Sequence, residues 1–102
     1  MKVTFLGVGE AFDENNTHTC ILVEAAGRRM LVDCGATAPP SLWHQSKRPD
    51  YLDGIFISHF HADHVFGLPA LMMRMLEDGR TRPFYLFGPV GTQRNVERLM
   101  EV

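Results

Sequence analysis

At 102 residues the chain has room for one small domain, which would bury roughly two thirds of its unfolded surface. A hydrophobic fraction of 45% and a charged fraction of 22% are those of an ordinary globular protein, and no apolar stretch is long enough to span a bilayer. The net charge of −2 lacks the basic footprint of a phosphate-backbone binder, and the amino terminus lacks a signal-peptide pattern, so the expected compartment is the cytoplasm, without a membrane partner.

Residues 2–6 read as a short strand, followed by a loop that contains Gly7, Gly9 and the polar run Asp13-Glu14-Asn15-Asn16. An apolar run over 18–24, with Cys20, Ile21, Leu22 and Val23, reads as a second strand, turned at Ala26-Gly27 into a third through Met30, Leu31 and Val32. Near-continuous apolar character in these runs suggests strands buried on both faces and joined as a meander. Residues 36–53 are irregular, with Pro39, Pro40 and Pro49, and a helical turn is expected around Ser41 to Gln45. Cys20 and Cys34 lack a Cys-x-x-Cys spacing and read as reduced, buried thiols.

Gly54 to Ser58 reads as a fourth strand, and its carboxyl end delivers the most informative segment, Ser58-His59-Phe60-His61-Ala62-Asp63-His64. Imidazole nitrogens and carboxylate oxygens are ordinary ligands of zinc and related divalent ions. A chain extended through His59 and His61 points both imidazoles the same way, and a turn after His61 brings Asp63 and His64 to an adjacent position. Pro69 then suits the start of a helix, on which Leu68, Leu71, Met72, Met75 and Leu76 recur at helical spacing before a stop at Gly79. Phe84 to Phe87 reads as a last strand, and Thr92 as the cap of a last helix that carries Val96, Leu99 and Met100 on one face. His18 and His44 read as hydrogen-bonded or solvent-facing histidines, and the arginines and lysines at 28, 29, 47, 48, 80 and 82 as solvated charge.

The His-x-His-x-Asp-His run resembles the metal-binding signature of the metallo-β-lactamase superfamily, and Ile57 to Pro69 (ISHFHADHVFGLP) is similar to its ribonuclease Z branch. Met1 to Gly7 (MKVTFLG) and Leu31 to Gly35 (LVDCG) resemble the first strand and the aspartate-bearing turn of those proteins. The resemblance implies an α/β (α+β) fold, with residues 1–102 as a partial domain, the amino-terminal half of an αββα sandwich. It implies two zinc ions, with manganese or iron as alternatives: His59 and His61 on the first metal, Asp63 and His64 on the second. Asp63 would also handle the proton of the attacking water, while Asp33 would orient a ligand or fix the loop, unless it only caps the turn before Gly35.

The implied activity is a ribonuclease Z-like phosphodiesterase acting on RNA or another phosphodiester. The alternatives are a thioester or lactam hydrolase of the same fold, or a non-enzymatic zinc-binding or assembly fragment. Superfamily members are longer and draw further ligands from their second half, whereas no histidine follows His64 here and Glu77, Asp78, Glu97 and Glu101 sit in no ligand motif. The chain is therefore expected to be a truncation or gene fragment that is inactive alone, completed by a missing carboxyl-terminal half or by a second copy.

Overall fold

The structure, a computed structural model, describes residues 1–101. β1 (Lys2–Gly7), β2 (Cys20–Ala25) and β3 (Arg28–Val32) form an antiparallel meander. Ala26 (φ 51°) and Gly27 (φ 74°) close its second hairpin, and positive φ at both central positions marks the turn whose twist matches that of the flanking strands. β4 (Gly54–Phe56) joins β3 in parallel and β5 (Tyr85–Phe87) joins β4 in parallel, giving a five-stranded sheet in sequence order. Such parallel steps need crossovers. α1 (Pro39–Gln45) lies in the first, α2 (Ala62–Val65) and α3 (Leu68–Glu77) in the second, and α4 (Thr92–Met100) follows β5.

Leu22, Leu31 and Ile55 are cross-strand neighbours on the covered face, each at most 1% exposed. Against them pack Leu42 of α1, Val65 of α2, Leu68, Leu71 and Met75 of α3, and Val96 of α4. Each such side chain removed from water contributes about 1.5–3 kcal/mol, so this single layer holds the sheet and helices together. Gly79 (φ 88°), just beyond the α3 cap residue Asp78, takes the left-handed conformation that ends the helix.

The opposite face differs from the expectation of strands buried on both sides. Phe5, Ile21, Val32, Phe56 and Phe87 form one row of paired residues across all five strands, with Val3, Val23, Met30 and Tyr85 beside it. Phe5 is 66% exposed, and Phe56 and Phe87 about half exposed, because no described helix crosses this side. Both faces are therefore apolar but only one is covered.

Four local expectations also need correction. β4 stops at Phe56, and a one-turn helix, α2, stands where a turn was expected. Leu76 points away from the core, 65% exposed. Gly91 (φ 93°) occupies the cap position of α4, while Thr92 is the first helical residue and donates its hydroxyl to the Pro89 carbonyl at 2.6 Å.

Candidate metal centre

The site is built where β3 and β4 end side by side. Asp33 N–H donates to the Phe56 carbonyl at 2.9 Å, and Ile57 N–H to the Phe87 carbonyl at 2.8 Å, so the two chains leave the sheet in a shared frame. In parallel sheets this carboxyl end is where loops carrying chemistry gather. The segment after β3 is then tied to the histidine loop through Cys34 N–H to the His64 carbonyl (2.7 Å) and Gly67 N–H to the Cys34 carbonyl (3.0 Å). Gly35 is required at this junction, since a Cβ there would run into the Asp63 carbonyl and the Cβ of His18.

Asp33 is 2% exposed and adopts φ 62°, a left-handed backbone that costs a non-glycine residue about 1 kcal/mol or more. Its surroundings over-determine that conformation. Oδ1 accepts Ser58 N–H at 2.7 Å, while Oδ2 accepts the Ser58 hydroxyl at 2.6 Å and lies 2.7 Å from His64 Nδ1. Hydrogen bonds to a charged group contribute about 1.5–3 kcal/mol each, more than enough to hold the strained backbone. A carboxylate only accepts, so His64 Nδ1 carries a hydrogen, and in the neutral ring the lone pair is then on Nε2.

The three imidazoles of the motif form one group. The ring centres of His59 and His61 are 4.7 Å apart and those of His59 and His64 4.0 Å apart. Extended backbone at His61 (φ −71°, ψ 150°) precedes α2, whose first turn carries Asp63 and His64. His64 Nε2 then lies 3.3 Å from Asp63 Oδ2.

That separation fits a shared metal. Two donors each roughly 2.0–2.2 Å from a tetrahedral zinc stand about 3.3 Å apart. A bare imidazole nitrogen facing a carboxylate oxygen is also an arrangement that needs a cation or an added proton between the two. Among the described residues no group of three or more His, Cys, Asp or Glu side chains is placed to hold an ion by itself. The donor set therefore fits zinc as a ligand pair beside two further imidazoles, rather than as a closed cage.

Cys34 is fully buried near this centre, and its hydrogen bond with Cys20, reinforced by burial, pushes its thiol pKa well up. It stays a protonated thiol, unlike the thiolate that binds metals. Both cysteines are free and buried, in line with the sequence expectation. His18 is 7% exposed, with Nε2 3.2 Å from the Ala11 carbonyl, and His44 sits exposed on α1, so neither joins the three clustered rings.

Several arginines are structural rather than merely solvated. Arg80 donates to the carbonyls of Pro49, Leu52, Arg82 and Pro83, Arg82 pairs with Asp53 at 3.2 Å, and Arg29 lies 4.4 Å over the Tyr51 ring. The residue that sequence reading passed over is Ser58, which contacts both Asp33 and His59; a hydroxyl residue directly before the first histidine was its only signal.

Residues 1–96 match the family model described as anti-Pycsar protein Apyc1. Among curated proteins, a ribonuclease Z of Methanococcus maripaludis is 36% identical over 100% of this chain and 33% of its own length. Among solved structures, the short form of human tRNase Z superposes with a TM-score of 0.83 at 34% identity, over 99% of this chain and 40% of that one. The metallo-β-lactamase fold protein YhfI of Bacillus subtilis gives 0.79 at 23% identity, over 94% and 39%, a likeness of fold. The chain thus spans about a third of the length of the curated relatives it matches and has the architecture of the amino-terminal half of their fold. From the matched model, the ribonuclease Z relatives and this half-sandwich together, the chain belongs to the Apyc1 family of metallo-β-lactamase-fold proteins.

Proposed function

We propose that this chain is the amino-terminal part, residues 1–102, of a zinc-dependent phosphodiesterase of the ribonuclease Z type, working in the cytoplasm on RNA or another phosphodiester. The observation that carries the reading is the clustering of His59, His61 and His64 beside Asp63, with His64 held by buried Asp33. His59 and His61 would bind one zinc, and Asp63 and His64 a second, the remaining ligands coming from outside these residues. Manganese or iron would suit the same nitrogen and oxygen donors. When bound, such ions supply Lewis acidity and a water of lowered pKa.

Within that centre the chain's own groups have separable roles. Asp63, 3.3 Å from His64 Nε2, would orient the attacking water and accept its proton. Asp33 is fully engaged with Ser58 and His64, and so keeps the loop in place instead of handling a proton. The open row from Phe5 to Phe87 is the surface against which a second sheet would pack, since a contiguous apolar face of this kind marks an association surface. The 33% coverage of the ribonuclease Z relative supports a missing half as that occupant.

The test is zinc-dependent turnover of a model phosphodiester and a model thioester by a polypeptide extended to the length of the relatives, beside the 102-residue chain. Preferential phosphodiester cleavage by the longer protein, with none by the short chain, is expected. Preference for the thioester would transfer the site to the thioester or lactam class. Zinc binding without turnover of either substrate would leave an assembly module.

A further inference from the structure

We infer that Ser58 is a positioning residue that transmits the acceptor character of Asp33 to His59, setting which ring nitrogen of His59 faces a metal. Ser58 Oγ lies 2.6 Å from Asp33 Oδ2 and 2.9 Å from His59 Nδ1. A hydroxyl owns one hydrogen, and a carboxylate can only accept. The Ser58 hydrogen is therefore spent on Asp33, and the contact with His59 requires a hydrogen on the imidazole: His59 Nδ1–H donates to Ser58 Oγ. The lone pair of His59 is left on Nε2, opposite to the tautomer that a free histidine side chain favours in water.

One carboxylate thereby sets two imidazoles. His64 is fixed directly through its 2.7 Å contact with Asp33 Oδ2, and His59 at one remove through the hydroxyl. In their neutral forms both rings keep the lone pair on Nε2, and their centres are 4.0 Å apart. Ser58 N–H also donates to Asp33 Oδ1 at 2.7 Å, so the residue grips both carboxylate oxygens and its backbone bond keeps the hydroxyl within reach of Oδ2. Outer partners of this kind commonly alter metal affinity by roughly 10–100-fold, because they orient the ring and fix the lone pair before the ion arrives.

The inference rests on the metal reading for its purpose but not for its test, which needs no metal. Long-range proton–nitrogen NMR of the 102-residue chain with labelled histidine, in chelator and at a pH above the imidazole range, reports the tautomer of each ring. The wild-type chain is expected to show Nδ1–H at both His59 and His64. Ser58→Ala should release His59 to the Nε2–H form or to a mixture while His64 keeps Nδ1–H, and Ser58→Thr should restore His59. Zinc affinity should fall about tenfold in Ser58→Ala and recover in Ser58→Thr. His59 found as Nε2–H in the wild-type chain, or unmoved in a folded Ser58→Ala chain, would overturn the inference. If Ser58→Ala fails to fold, the wild-type tautomer still decides. The expected tautomers, together with no zinc binding by a polypeptide extended to the length of the relatives, would uphold the hydrogen inventory and sink the metal reading instead.

Discussion

Asp33 Oδ2 and His64 Nδ1 are 2.7 Å apart across a sequence separation of 31 residues, and this one contact joins the end of β3 to the loop that follows β4. It couples a strained backbone at Asp33 to the orientation of a candidate ligand. Stability and metal affinity should consequently respond to different substitutions.

Asp33→Ala removes the acceptor for three hydrogen bonds at a buried position, whereas Asp63 is only partly buried. Asp33→Ala should lower unfolding free energy by about 3 kcal/mol or more, and Asp63→Ala by less than about 1 kcal/mol. Zinc titration should reverse the order, with Asp63→Ala losing a ligand while folded protein remains plentiful. Denaturant unfolding and calorimetric zinc binding on both variants check the pair. Equal loss of stability at both positions would contradict the separation of roles.

Gly35→Ala should disturb the centre without changing the side chain of any candidate ligand, because the added methyl meets the Asp63 backbone carbonyl and the His18 Cβ. A loss of about 2–3 kcal/mol is expected, together with shifted resonances of His64. An alanine variant as stable as the parent, with unchanged histidine resonances, would show that the loop is not packed as described.

Arg80 holds the approach to β4 to the approach to β5 by donating to the carbonyls of Pro49, Leu52, Arg82 and Pro83, while burial, followed by the neighbouring Arg82, draws its pKa below the usual arginine value. Arg80→Ala should destabilise the fold by about 2–4 kcal/mol. Arg80→Lys should recover less than half of that, since an ammonium lacks the planar fork of donors. Urea midpoints of the three proteins measure both effects.

The Cys20–Cys34 pair should be inert in the native state. Cys34 has its thiol pKa raised by hydrogen bonding to Cys20 and by burial, so the folded protein keeps a proton that the unfolded chain releases in alkali. Native protein then binds more protons than unfolded protein, and stability should decline as pH rises past the ordinary thiol range, with no change from this source below it. A thiol reagent should detect both free cysteines only after denaturation. Rapid reaction of the folded protein would refute the buried, protonated assignment.

The grouping of the candidate site residues was legible in the chain itself, because His59, His61, Asp63 and His64 are neighbours in sequence and local backbone geometry brings them together. The meander and the α3 stripe were legible for the same reason, since side-chain period and turn residues are local properties. What folding in three dimensions decided was everything that depends on distant partners. Side-chain period alone does not distinguish a strand buried on both faces from one whose second apolar face, here the row from Phe5 to Phe87, is left open, although the resemblance to half a sandwich implied such a face. Nor does it pair Asp33 with Ser58 and His64, because those contacts arise only when β3 and β4 align in parallel and their ends meet. Chemistry carried by adjacent residues is written locally; the hydrogen bonds that orient it belong to the register of the sheet.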